Sequence, residues 1–342
     1  MDSLQGSAFP DVLGPKSANF AFWRVCFWLI PTHKSHLSEF PGSLIRSALG
    51  RTLKKCSCIA GDPDSLCRDC AEAAVCAYGY SFETPLDRES QERLSAPFAP
   101  HPFVLALDTS LEKTEKGLAP LALELTLVGR GRTHLARFVQ AVREMCHDGL
   151  GEKRQTFRLD RIEDLHPAGS GTIQSGDSAL FIDSPRDFTL GDLLPLRSDC
   201  VHVKTVSPLR ILSKGSPVES LDFPLLLRAI FRRIGALARF HCDLEPEVDY
   251  RGLLGLASGV ALVHQNLAWS DLRRYSARQS RRMVLGGVVG SFVLEGPMSP
   301  FTSFLRLGEA LHVGKGTAFG LGRYRLEEES SRHDSRDSSH QS

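Results

Sequence analysis

Residues 121–149 read LALELTLVGRGRTHLARFVQAVREMCHDG. In the first part Leu121, Leu123, Leu125 and Leu127 alternate with other residues, the period of a half-buried strand. Further on, Leu135, Phe138, Val139, Val142 and Met145 recur at helical spacing, so 133–149 is expected to be an amphipathic helix. Gly149-Leu150-Gly151 then turns the chain into a strand near Thr156–Ile162. Upstream, residues 20–30 form an aromatic, β-rich run. After Pro41, the stretch 42–55 (GSLIRSALGRTLKK) places Leu44, Ile45, Ala48, Leu49 and Leu53 on one helical face and Arg46, Arg51, Lys54 and Lys55 on the other. Further strands are expected around 78–84 and 101–107.

The second half repeats this order. Residues 201–211 read as a strand, 223–242 as a helix, 261–269 and 283–294 as strands, 299–311 as a short helix and 322–326 as a last strand. The expected fold class is α+β: two tandem ferredoxin-like domains, RRM-like in their βαββαβ order, with a small Cys-rich insertion in the first. Two helices would cover one face of each antiparallel sheet, leaving the other open as in RNA-recognition modules. The expected boundaries are a loose N-terminus at 1–18, a first domain at 19–198 with its insertion at 56–76, a second at 199–326, and a disordered tail at 327–342.

The whole-chain charge of +1 singles out no partner. The tail carries five acids and two arginines, so the remainder is more basic than the total suggests. Arginine outnumbers lysine about three to one, and its planar fork suits phosphates and stacks on bases; a GC-rich genome would give the same excess. The longest apolar run, at 18–30, contains Arg24 and falls short of the roughly 20 residues of a membrane span. No secretory signal is recognised, and a cytoplasmic location without membrane contact is expected.

Five of the nine cysteines crowd between 56 and 76. Cys67-x2-Cys70 is a common knuckle. With Cys76 and Cys58, or Cys56 in its place, it would give the four thiolates of a closed structural zinc site. An iron–sulfur cluster is the less favoured alternative, and reduced cysteines in a small insertion the plain one. Cys26, Cys146, Cys200 and Cys242 read as core residues.

The stretch 311–327, LHVGKGTAFGLGRYRLE, sets Gly314, Gly316, Gly320 and Gly322 around Lys315. It is neither a P-loop nor a dinucleotide fingerprint, because spacing and context fail for both. A glycine-dense loop lets a backbone run close to a polyanion. The competing reading is a bulged turn with no ligand.

HVGKGTAFGLGRY at 312–324 resembles the C-terminal glycine-rich motif of the RAMP superfamily, and more narrowly that of the CRISPR precursor-RNA processing endoribonucleases, the Cas6 family. Stretches at 42–56, 67–85, 143–159, 269–290 and 300–316 resemble the same family in the same order. The resemblance implies an endoribonuclease that binds CRISPR repeat RNA. It would cut by attack of a ribose 2′-OH on the adjacent phosphate, leaving a 2′,3′-cyclic phosphate and a 5′-OH, without a catalytic metal. His36 or His312, with His33 as alternate, would do the acid/base work. Lys54 or Lys315 would stabilise charge. Arg46 and Arg51 on the first helix, Arg273, Arg274 and Arg278 near Trp269 and Tyr275, and the glycine loop would grip RNA. A non-catalytic RAMP subunit that binds guide RNA in a CRISPR effector complex is the alternative. Either a monomer or a homodimer is compatible.

Overall fold

The computed structural model describes residues 13–14, 16–33, 37, 41–59, 61, 67, 70–84, 86, 88–94, 98–108, 120–169, 171–176, 178, 181–194, 196–276 and 281–328, with 93–94, 273–276 and 281–284 described by backbone alone. The first sheet takes β1 (Phe22–Pro31), β2 (Phe103–Asp108), β3 (Leu121–Val128), β4 (Phe157–Asp164) and β5 (Thr172–Ser175) in the antiparallel order β2-β3-β1-β4-β5. Helix α1 (Gly42–Ser57) follows β1, α2 (Arg88–Leu94) precedes β2, and α3 (Leu135–Asp148) follows β3. The second sheet has β6 (Cys200–Thr205), β9 (Ala261–Ser276), β10 (Arg281–Glu295) and β11 (Tyr324–Glu328) in the order β11-β6-β10-β9. Between β6 and β9 come the small hairpin β7 (Leu212–Ser213) and β8 (Ser216–Pro217), then α4 (Phe223–His241) and α5 (Tyr250–Leu256); α6 (Thr302–Leu311) precedes β11. Without the additions β5, β7–β8, α2 and α5, both units follow βαββαβ, with the fourth strand beside the first and the third between the first and second.

The leucine alternation of 121–127 is the reason the first sheet has one apolar face. Leu121, Leu123, Leu125 and Leu127 join Val25, Phe27 and Leu29 of β1 against Ile45, Leu49 and Leu53 of α1 and Phe138, Val142 and Met145 of α3. The intervening residues on β1 and β3 include Arg24 and Glu124, which point the other way and pair at 3.2 Å. In the second unit Val201, Val203, Phe292, Leu294 and Leu326 meet Leu226, Ile230, Ile234 and Leu237 of α4, and Phe304 and Leu307 of α6. Asp222 starts α4: its carboxylate accepts from the Leu225 N–H at 2.6 Å, with a proline in the first turn.

Four expectations need correction. Residues 78–84 are not a strand. Gly79–Glu83 is a π-helical turn closed by the Thr84 N–H on the Gly79 carbonyl at 3.0 Å. A Cβ at Gly79 would lie 2.5 Å from the Ala73 carbonyl oxygen, so this turn nests against the preceding backbone. The strand at 201–211 stops at Thr205, ahead of Pro208. The strands at 261–269 and 283–294 are longer, running to Ser276 and starting at Arg281. The first sheet's second face is not open along its whole length, because Arg323 of the second unit reaches Glu124 on β3 at 2.8 Å. Helix α2, helix α5 and the short strands β5, β7 and β8 had no clear periodic signal.

The glycine run sets the approach to β11. Gly322 has φ +77°, and a Cβ there would fall 1.9 Å from the Val313 carbonyl oxygen, whose residue also donates its N–H to the Gly322 carbonyl at 3.0 Å. Gly322→Ala is expected to lose at least ~1–3 kcal/mol of stability, the cost of a residue held in a disfavoured backbone region. Urea unfolding monitored by circular dichroism measures it, and an unchanged midpoint would refute this account.

Candidate nucleic-acid interface at the domain junction

Helix α6 ends at Leu311, and His312 leaves it with φ +57°. The loop that follows folds on itself. Its amides at Val313, Lys315, Phe319, Gly320, Leu321 and Gly322 donate to the carbonyls of Gly322, Arg210, Gly316, Thr317, Gly316 and Pro208. Gly314 is forced by packing as well as by φ +88°, since a Cβ would meet the Arg210 carbonyl oxygen at 2.3 Å. Most loop N–H groups are therefore spent on the fold itself. The glycines shape a turn first, and what the turn presents is its short 3-10 segment, Thr317–Phe319.

That segment enters the other domain. Ala318 is 3% exposed and belongs to the first domain's core. The Arg46 guanidinium of α1 lies 4.6 Å from the Phe319 ring centroid and 5.1 Å from that of Phe82. Arg46 Nη2 donates to His101 Nε2 at 3.0 Å. In the opposite sense, Phe22 and Val128 of the first sheet belong to the second domain's core, with Phe22 stacked on Phe188 at 5.2 Å.

Three histidines line this junction, and all are held neutral. His312 is 3% exposed and donates Nδ1–H to the Leu321 carbonyl at 3.1 Å. Burial, then the charges of Arg323, Arg233 and Arg24, hold it well below the usual imidazole range despite the Leu321 bond. His241 bridges the domains: Nε2–H donates to the Pro100 carbonyl at 2.7 Å, and Nδ1 accepts from the Tyr80 hydroxyl at 2.8 Å. Burial pushes His241 down to about 4 and the Tyr80 hydroxyl up to about 12. His101 packs beside Phe82 and Phe103, and burial with Arg46 and Arg233 nearby pushes it down to about 3.

The expected site residues fall in several places. His36 and Arg278 lie outside the described residues. His33 is exposed on the loop after β1, with Nδ1 3.0 Å from the Thr32 hydroxyl and its carbonyl accepting from Gln155 Nε2 at 3.2 Å. Lys54 lies on α1 with Nζ 5.6 Å from the Tyr78 ring centroid, and Arg51 is exposed on the same helix. Arg46 is engaged in the domain joint. Lys315 projects exposed from the glycine loop, among Gly314, Gly316, Gly320 and Gly322. Arg273 and Arg274 stand on β9, opposite Val284 and Met283 of β10. His312 is packed away from solvent, a position that suits shaping the loop.

Among the described residues no three His, Cys, Asp or Glu side chains come together to hold a metal ion. Cys76 is buried, its thiol donating to the Ser57 carbonyl at 3.2 Å, while Cys56, Cys58, Cys67 and Cys70 are half-buried with free thiols. Burial pushes the Cys67 thiol up. Cys26, Cys146 and Cys242 are buried and Cys200 half-buried. No described helix is long and apolar enough to cross a membrane.

Sequence reasoning missed Arg233, His101 and Tyr80. For Arg233 a signal existed: it sits at helical spacing with Leu226, Ile230 and Leu237, a charge on the buried stripe of α4. His101 and Tyr80 had none, because their partners are more than fifty residues away.

Comparison with known proteins follows this division. Residues 20–185 match a family model described as an N-terminal domain, and residues 203–324 match the model of the CRISPR-associated endoribonuclease Cas6. No curated protein matches in sequence. A solved Cas6 product complex is similar at 16% identity and a TM-score of 0.54, over 90% of this chain and 99% of that one. A Thermus thermophilus Cas6 is similar at 14% identity and a TM-score of 0.51, again over 90% and 99%. A chain of a partial Cas6-RT-Cas1–Cas2 complex is similar at 14% identity and a TM-score of 0.53, over 92% of this chain and 47% of that one. At these identities the likeness to the solved structures is one of fold.

The three neutral histidines give the protein an acid limb. Each binds a proton in the unfolded chain near its ordinary value of ~6.5 and not in the native state, so the unfolded state holds more protons below that pH. Their contribution to stability is complete above ~6.5 and is lost as pH falls toward the depressed native values, by up to about 1.4 kcal/mol per pH unit for each. Urea midpoints between pH 7 and pH 4 are expected to drop steeply. His241→Gln is expected to flatten the drop by up to one proton's worth, and an unchanged slope would contradict the burial argument.

Proposed function

We propose that the chain is a member of the Cas6 family of CRISPR-associated endoribonucleases, whose model matches residues 203–324, and that it binds CRISPR repeat RNA and cleaves it to mature guide RNAs. The match of residues 203–324 to that family model carries the reading. The chemistry is a transesterification in which both reacting oxygens belong to the RNA. The 2′-oxygen bonds to phosphorus as the bond to the 5′-oxygen breaks. A base takes the 2′-OH proton, and an acid delivers one to the departing 5′-oxygen. The products are a 2′,3′-cyclic phosphate and a 5′-OH, and the protons balance without a metal.

For the acid/base work we favour the loop after β1, with His36 first and His33 as its alternate. His33 is exposed and can meet RNA, whereas His312 is 3% exposed and already gives its Nδ1–H to Leu321. We assign His312 to holding the glycine loop in shape. Lys54, on the helix that follows His36, would stabilise charge on the phosphorane. Arg51, Lys315 and the arginines of the β9–β10 hairpin would hold the RNA backbone. A structural zinc on Cys58, Cys67, Cys70 and Cys76, with Cys56 as alternate, rests on spacing alone, since the structure does not assemble these thiols into a ligand set. Elemental analysis of protein purified without oxygen decides it, and one equivalent of zinc is the expected result.

Purified protein is expected to cut the host's repeat RNA in excess EDTA and to leave a substrate with a 2′-deoxy sugar at the cut site intact. His36→Ala is expected to slow cutting by about 10²–10⁴-fold. Full-rate cutting by both His36→Ala and His33→Ala would remove the acid/base assignment. Tight, salt-sensitive binding without cutting would favour the non-catalytic RAMP subunit of an effector complex.

A further inference from the structure

Helix α1 carries Arg46, Gly50 and Lys54 one turn apart, so the three share a face. That face lies along the π-helical turn Gly79–Glu83 and the residue before it. The Arg46 guanidinium sits 5.1 Å from the Phe82 ring centroid. A Cβ at Gly50 would meet the same ring at 2.9 Å from Cε1, so the glycine brings helix and ring together. Phe82 in turn stacks on Tyr78, with centroids 5.3 Å apart and planes 10° from parallel. The Tyr78 ring then receives Lys54, whose Nζ is 5.6 Å from its centroid.

The π-helical turn explains how the tyrosine is held. In an α-helix, residues five apart diverge by about 140°. The wider turn instead sets Tyr78 and Glu83 side by side, and the Tyr78 hydroxyl donates to Glu83 Oε1 at 3.1 Å. The phenol is thus fixed at both ends, by Phe82 at its ring and by Glu83 at its oxygen. Arg51 and Lys55 of α1 are exposed, whereas Lys54 is half-buried. A lysine pressed to a ring face explores fewer rotamers than one in water. The ring attracts the ammonium through its quadrupole and itself takes none of the N–H donors. That suits a group whose task is to meet charge that appears only in the transition state. We propose that Tyr78 and Glu83 are positioning residues for RNA cleavage: Tyr78 presents its ring face to the Lys54 ammonium, and Glu83 holds Tyr78 in place. The proposal rests on the charge-stabilising role assigned to Lys54 above.

The test is a double-mutant cycle on the full chain, read as the single-turnover cleavage rate at saturating repeat RNA and, separately, as RNA affinity. Tyr78→Leu is expected to slow cutting about tenfold and to leave affinity within about twofold of the wild type. Tyr78→Phe keeps the ring and is expected to restore most of the lost rate. In a Lys54→Ala background, itself slow, Tyr78→Leu is expected to change nothing further, whereas a merely structural defect would act equally in both backgrounds. Glu83→Gln, at a half-buried position, runs the same cycle if Tyr78→Leu does not fold. Equal slowing with and without Lys54, or no slowing in either background, overturns the positioning assignment and leaves the proposed function standing. Full-rate cutting by Lys54→Ala overturns the lysine's role and this proposal with it. A wild type that binds repeat RNA without cutting overturns the proposed cleavage and, with it, the assignment.

Discussion

The insertion of Thr317–Phe319 into the first domain is the contact on which the rest of the molecule depends. It sets Ala318 in one domain's core while the loop's backbone stays tied to Pro208 and Arg210 of the other. Arg46 closes over Phe319 from above. Phe22, set into the second core, reciprocates. Two βαββαβ units joined by one linker would otherwise be free to swing. With a residue of each buried in the other, reorienting them would expose apolar surface and strip hydrogen bonds together. Glycine suits this loop because positions 314, 316, 320 and 322 all take positive φ.

Much of this architecture was legible in local pattern. The leucine alternation at 121–127 became β3 at the expected residues, and the helical spacing at 133–149 became α3. Such elements declare themselves because each buries one face against a neighbour. The π-helical turn at Gly79–Glu83 did not, since apolar residues such as Tyr80 and Phe82 are buried in a turn as readily as in a strand. The short strands β5, β7 and β8 are fixed by partners rather than by period. For the candidate site, the glycine loop and α1 were visible as motifs. Their meeting through Arg46 and Phe319 was not, because a cation–π contact between residues 46 and 319 leaves no trace in either segment alone.

The electrostatics of the junction are one-sided. Arg46 and Arg233 both depress His101, Arg130 and Arg233 both act on His241, and Arg323, Arg233 and Arg24 all act on His312. Glu124 offsets Arg24 and Arg323, but no described carboxylate offsets Arg233. Burial first, and this field second, keep the histidines neutral, which removes them as proton carriers near pH 7 while leaving their hydrogen bonds intact. A protein that handles a polyanion gains from a positive interior only if its fold survives without the ligand. Neutral imidazoles and ring-stacked guanidinium groups meet that condition.

The β9–β10 hairpin outgrows the sheet it belongs to. β10 pairs with β6 only through Ser291–Glu295, whereas its ladder with β9 continues back to Arg281. Beyond the bridge of Val288 to Leu209 and the Arg210 side-chain bond to the Gly286 carbonyl, the outer part is a two-stranded ribbon that rests on its own pairing. Ribbons of that kind are marginal in water when isolated. Amide hydrogens there would exchange through local fraying, while those facing β6 would wait for the whole domain to open. The molecule thus carries a rigid hub and a compliant arm with arginines toward its tip, an arrangement in which the arm can adapt to the contour of what it holds without loosening the hub.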